Sequence, residues 1–238
     1  MLVSVYSCLG PDANVIHTGV RPFRIELSFC ENALKDGVGL NIYVDFDDCL
    51  CETGRAFARL ASGLFAKDIP YEQMRYFNLQ KAFGLTDEQY DLLLAKGHEA
   101  ELLLSFEETP GASEVISEWI GRGYRVSVIT GRPFSCYGTS RTWLDRHGLR
   151  DAGLYCLDKY GRENFLKDGS FSLTPDDYRK MHFDYAVEDS PLAFRFFDHL
   201  PDLKVMVFDR PWNRTAVFPN SNYRRCTDWE AVRAAVNG

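Results

Sequence analysis

The sequence predicts an α/β protein, a doubly wound parallel sheet with a small helical segment inserted after its first strand. Short apolar, β-branched runs recur at residues 41–44, 124–129, 154–157, 185–187 and 203–208, each of a length suited to a strand buried on both faces. Helical patterns separate most of them, the alternation expected of parallel strands joined by right-handed crossovers. Several of the runs stop at polar residues, and in open parallel sheets ligands bind beyond the carboxyl ends of the strands.

The first run, Asn41-Ile42-Tyr43-Val44, ends in Asp45-Phe46-Asp47-Asp48. From Thr53 to Phe106 the period turns helical, with Phe57, Leu60, Ala61 and Leu64 on one face and further patterns at residues 74–83 and 90–94. Thr109-Pro110-Gly111 breaks that segment, and residues 113–121 resume as a helix closed by glycine. The second strand leads into Thr130-Gly131-Arg132-Pro133 and a helix ending near His147-Gly148. A polar loop, residues 158–172, follows the third strand, and Thr174 with Pro175 starts a short helix before the fourth. That strand opens into Glu188-Asp189-Ser190-Pro191, the fifth ends at Asp209-Arg210-Pro211-Trp212, and Asp228 caps a last helix. The boundaries expected are an extension at residues 1–38, an α/β core at 39–52 and 107–238, and a helical unit at 53–106. For the extension two readings stand: a β-rich segment sealing a sheet edge, or a dimer contact.

At 238 residues the chain suits one core with a modest accessory unit, since a compact domain runs to roughly 100–200 residues. A net charge of −7 argues against a sequence-independent grip on a nucleic-acid polymer, which needs clustered Lys and Arg, but admits a free nucleotide. No basic leader precedes an apolar run, and no run approaches the ~18 apolar residues of a membrane span, so the expected address is the cytoplasm. The seven cysteines are odd in number and lack CxxC spacing, which speaks against disulfides and structural zinc. Cys49 and Cys51 are read as reduced packing residues.

A lone DxD pair is weak evidence, because short acidic turns and helix caps produce it often; Thr130, Asp48 and Glu188 can each be read as helix-start residues. That reading does not explain why acids close several apolar strands, since gathered carboxylates repel one another unless a cation sits among them.

In their order, DFDDCL, VITGR and AVEDSP resemble the first, second and fourth motifs of the haloacid-dehalogenase-like superfamily, from Gly39 to the C-terminus. The turn at residues 106–112 and Phe208-Asp209-Arg210-Pro211-Trp212-Asn213 are similar to bacterial 5′(3′)-deoxyribonucleotidase-like members. The resemblance implies a Rossmann-like core, a cap at residues 53–106, and a magnesium-dependent phosphatase. It further implies that Asp45 is the nucleophile, becoming a transient aspartyl phosphate. Asp47 would act as acid and base with a raised pKa. Mg²⁺ would be held by Asp45, the Asp47 carbonyl and Asp189, with Glu188 a ligand or just behind one. Thr130 would bind a phosphate oxygen.

A helix-borne lysine of the superfamily is replaced here by Thr174; Lys159, directly after the third strand, is the preferred substitute, with Lys167 and Lys180 as rivals. Substrate contacts are expected from Asp48, Gly131, Arg132, Arg75 and Phe77, although the insertion's aromatics (Tyr76, Phe77, Phe83) also suit its own core, and His98 is read as a surface residue. The substrate expected is a small phosphorylated metabolite such as a nucleoside monophosphate. Alternatives are a sugar-phosphate or other metabolite phosphatase or phosphomutase, and a catalytically idle binding protein of the same fold. Oligomeric state is not legible.

Overall fold

A computed structural model describes residues 39–159, 171–197, 200–218 and 220–238. The expected extension at residues 1–38, Cys8, Cys30, most of the loop at 158–172, and Lys167 lie outside the described residues. The parallel sheet comprises β1 (Asn41–Val44), β2 (Arg125–Thr130), β3 (Gly153–Leu157), β4 (Ser172–Leu173), β5 (Tyr185–Glu188), β6 (Lys204–Phe208) and β7 (Tyr223–Cys226). Their order is β4-β3-β2-β1-β5-β6-β7. The chain therefore runs outward in one direction from β1 to β4, then returns to β1's other side with β5. The reversal lies at β1 and β5, the place where doubly wound sheets bind ligands.

Two apolar layers sandwich the sheet, and the period-2 alternation of β1 shows why. Ile42 and Val44 face a cluster that includes Val126, Val128, Trp119, Leu144 and Trp229. Tyr43, between them, points the other way into Ile129, Tyr178, Phe183 and Phe197. These strands are buried on both faces, hence their nearly continuous apolar sequences. The first layer is closed by α5 (Ala112–Gly121), α6 (Tyr137–Arg146) and α8 (Trp229–Asn237); α7 (Pro175–Lys180) packs on the second.

Between β1 and α5 lie α1 (Thr53–Phe65), a 3-10 turn at Tyr71–Gln73, α2 (Leu79–Phe83), α3 (Asp87–Gly97) and α4 (Ala100–Leu104). Phe57, Phe83, Leu93 and Leu103 bury their side chains in the same apolar cluster as the sheet's first face. Local signals fix the ends of these helices. Asn78 caps α2, Thr86 and Gln89 form a reciprocal capping box on α3, and Gly84 takes the left-handed conformation that closes α2. No described helix is long and apolar enough to cross a membrane.

Candidate active site

The loop after β1 starts while still attached to the sheet, the Asp45 amide donating to Val187 O at 2.9 Å. Asp45 is therefore fixed at the β1/β5 edge, and it is buried. Lys159, just past β3 and 1% exposed, reaches back across the sheet edge. Its Nζ lies 2.6 Å from Asp45 Oδ1 and 2.9 Å from Glu188 Oε2. Lys180, by contrast, is exposed at the end of α7, and Thr174 caps that helix.

Glu188 is the last residue of β5 and Asp189 the first beyond it, and their carboxylates take different partners. Glu188 spends both oxygens within the protein. Oε2 accepts from Lys159 and from the Tyr43 hydroxyl at 2.7 Å, and Oε1 accepts from the amides of Asp189 and Ser190. The structure thus brings Glu188 to Lys159 and leaves it out of the acidic group suited to a metal. That group is Asp45 and Asp189 with Cys49, whose ligand atoms lie within 4.8 Å of one another.

Asp189 forms no ion pair among the described residues. Its Oδ2 accepts from Trp212 Nε1 at 2.8 Å, while its carbonyl accepts from Asn213 Nδ2 at 2.8 Å. Burial, then the charges of Glu188, Asp45 and Asp48, push the Asp189 carboxyl well above the ordinary carboxylate range. For Asp45, burial and Glu188 do the same and outweigh the opposing pull of Lys159. Two buried, mutually repelling carboxylates, with one lysine for three acids among the described residues, form an oxygen donor set that a hard divalent cation fits.

Asp47 behaves otherwise than the sequence led us to expect. Burial pushes its pKa up, but Arg132 and the Thr53 hydroxyl more than reverse this and hold it below the ordinary value. Arg132 Nη2 lies 2.6 Å from Asp47 Oδ1 and its Nε 3.1 Å from both oxygens, while Thr53 Oγ1 donates at 2.6 Å. The expectation of a raised pKa rested on crowding by Asp45 and the phosphate and on low local solvation, and it missed a guanidinium 85 residues away in sequence. Arg132 is itself buried, bonded to Ser140 Oγ at 3.0 Å, with its guanidinium carbon 4.1 Å from the centre of the Phe46 ring. Thr130 is buried alongside: its hydroxyl accepts from the Arg132 amide at 3.1 Å and lies 3.5 Å from Asp47 Oδ2.

Asp48 adopts a left-handed backbone, φ 58°, which Asp tolerates better than most residues. Its carboxylate turns inward, accepting from the Gly54 amide at 2.9 and 3.0 Å, and burial lifts its pKa to about 7 against the pull of Arg210. A side chain at position 54 would force its neighbours aside: a Cβ there would lie 2.8 Å from the Tyr71 ring, 3.0 Å from Trp212 and 3.2 Å from Asp48 Oδ1. Of the other expected substrate contacts, Gly131 is buried in the turn after β2, Arg75 is exposed, and Phe77 packs half-buried against Trp212 with ring centres 6.3 Å apart.

Four further participants were not among the expected site residues. Arg210 donates to Asp48 O at 2.6 Å and to Glu52 and Thr109 at 3.2 Å, Trp212 and Asn213 hold Asp189, and half-buried His98 adds a small lowering influence on the Asp47 pKa. The first three stand in the post-β6 loop, and a Trp and an Asn directly after a buried strand were the available signal. Asp209, in the same loop, pairs instead with Arg225 and Arg214.

A family model described as 5′ nucleotidase, deoxy (pyrimidine), cytosolic type C protein matches residues 39–159. Among solved structures, a haloacid dehalogenase-like hydrolase from Streptococcus pneumoniae is 12% identical with a TM-score of 0.55, covering 82% of this chain and 98% of its own. A HAD family hydrolase from Deinococcus radiodurans R1, solved with bound phosphate and sodium, is 15% identical with a TM-score of 0.52, covering 84% and 96%. Protein tyrosine kinase A of Mycobacterium tuberculosis is 13% identical with a TM-score of 0.57, covering 85% and 100%. At these identities the likeness establishes the shared fold. No curated protein matches the sequence.

Proposed function

This chain belongs to the cytosolic type C family of 5′ nucleotidases, a phosphatase family of HAD fold, and from that premise we propose that it hydrolyses a nucleoside monophosphate in a magnesium-dependent reaction through a phosphorylated Asp45. The observation that carries the proposal is the buried cluster at the β1/β5 reversal, where Asp45 and Asp189 face one another and Lys159 bridges Asp45 to Glu188.

Asp45 Oδ2 is the attacking oxygen, because Lys159 occupies Oδ1 and no described protein donor takes the other. Lys159 orients the nucleophile and offsets the charge that phosphate brings, and Glu188, satisfied at four bonds, fixes the lysine. Asp45, Asp189 and the Asp47 carbonyl would hold the magnesium ion, which would supply neutralisation of the phosphoryl oxygens and of the acidic pair. Asp47 is an anion when the site is at rest, held by Arg132 and Thr53, and is therefore ready as a base toward water. As the acid it first takes up a proton, which is favoured when the arriving phosphate competes for the guanidinium and adds negative charge. Thr130 supplies a neutral hydroxyl at the same edge.

The helices at residues 53–106 are the cap in this reading. Tyr71 and Phe77 meet the post-β6 loop at Trp212, placing an aromatic wall beside the acidic pair where a leaving group would lie. The test is phosphate release with Mg²⁺ over a panel of nucleoside monophosphates and sugar phosphates. Turnover of the nucleotides that vanishes in Asp45→Asn is expected; undiminished turnover in that variant would sink the assigned nucleophile, and turnover of the sugar phosphates alone the assigned substrate.

A further inference from the structure

Cys49 is wholly buried, and its Sγ lies within 4.8 Å of carboxylate oxygens of both Asp45 and Asp189. Its neighbour Cys51 has partners, with Sγ placed 3.8 Å from Phe46 O, 3.2 Å from Thr53 Oγ1 and 3.5 Å from Arg132 Nη2. The Cys49 thiol has none among the described residues, although the main chain there is pinned by Trp229 Nε1, which donates to Cys49 O at 2.9 Å. A buried polar group normally finds a partner, and this one lies beside two carboxylates.

Sulfur contributes nothing to a magnesium site, whose ligands are hard oxygens. Two carboxylates and a thiolate are, however, a donor set for a softer ion that prefers four-coordination with sulfur included. We propose that Cys49 gives this site a second occupant, a thiophilic divalent cation of the zinc class bound by Asp45, Cys49 and Asp189 in competition with magnesium. On binding, the thiol proton leaves to solvent as the sulfur lone pair forms the bond to the metal; no electron changes hands. An ion so held occupies the nucleophile and blocks turnover. The location of the site rests on the magnesium reading above, but the selectivity rests on the thiol alone.

The probe is Co²⁺, added to metal-free full-length protein and followed by absorption. Wild type is expected to show a near-ultraviolet thiolate-to-cobalt charge-transfer band that excess Mg²⁺ or Zn²⁺ removes. Asp189→Asn loses the band, which excludes the other six cysteines as its source. Cys49→Ala loses it too, with Zn²⁺ affinity falling by more than the roughly 10–100-fold that loss of an outer partner costs a metal site. Circular dichroism establishes that both variants are folded. Cobalt binding without the band, or a band that survives Cys49→Ala, overturns the proposal and leaves the magnesium reading standing. Failure of wild type to bind either Co²⁺ or Mg²⁺ overturns both.

Discussion

Trp212 donates its indole N–H to Asp189 Oδ2 at 2.8 Å while its ring meets Tyr71 and Phe77 of the helical insertion edge-on, with centres 5.7 and 6.3 Å apart. One side chain thus touches the carboxylate that the metal reading requires and the helices above it. Trp212→Phe keeps the aromatic packing and deletes only the hydrogen bond. Groups that orient a metal ligand are worth roughly 10–100-fold in affinity, so Mg²⁺ binding is expected to weaken by about that factor while the rate at saturating Mg²⁺ changes less. Magnesium titration of activity alongside direct calorimetric binding checks this; equal losses of rate at every Mg²⁺ concentration would show that Trp212 acts on something other than the metal site.

Lys159 leads to a sharper outcome because it is 1% exposed and shared by two acids. Lys159→Met fills similar volume but strands Asp45 and Glu188 without a counter-charge. Breaking a buried pair from one side costs about 3–5 kcal/mol, and removing one preorganised cationic donor costs about 10²–10³ in rate. Urea denaturation of the metal-free protein and single-turnover assays measure the two effects. Unchanged stability would mean that the pair is solvated in solution.

Much of this was legible from sequence, and the parts that were not share a cause. The five apolar strands announced themselves because they are buried on both faces. β7 did not, because its Arg225 points to Asp209 and Asn213 and interrupts any apolar run, and β4 is only two residues long. DFDD, TGR and ED marked the loops that converge, since the parallel register Val44↔Val128 and Val44↔Val187 brings three strand ends together. Which side chains then pair was not legible. The Asp47–Arg132 contact depends on how a turn directs a long side chain, and the split between Glu188 and Asp189 depends on where β5 ends, between the two.

The acidic pair should make the metal-free protein less stable than it could be. Asp45 and Asp189 have raised pKa values in the folded state, so folding takes up protons and stability falls as pH rises through those values. Asp189→Asn removes one charge while its amide oxygen still accepts from Trp212. In the presence of a chelator this variant is expected to be about 1 kcal/mol more stable than wild type at neutral pH. Added Mg²⁺ should reverse the order, because only wild type gains binding energy. Thermal melts with and without Mg²⁺ decide it; a destabilised variant in chelator would show that the carboxylates are not in conflict.

Asp47 carries the opposite sign. Its pKa lies below the ordinary 3.8, so its pairing with Arg132 and Thr53 contributes fully above that value and is lost as pH falls through the lower, folded-state value. Asp47→Asn keeps the shape and removes the charge from a group whose side chain is 28% exposed, facing a guanidinium that is 4% exposed. Hydrogen bonds to charged groups are worth about 1.5–3 kcal/mol, and the variant should be destabilised by that order at pH 6 to 7. The gap between wild type and variant should then begin to narrow below about pH 4 and go on narrowing as pH falls toward the lower folded-state value, at which the aspartate itself becomes neutral and resembles its amide. Denaturant midpoints measured in chelator from pH 3 to 7 follow this directly. A gap that stays constant over the whole range would mean that Arg132 does not hold Asp47 in solution, and the resting anion assigned to Asp47 would go with it.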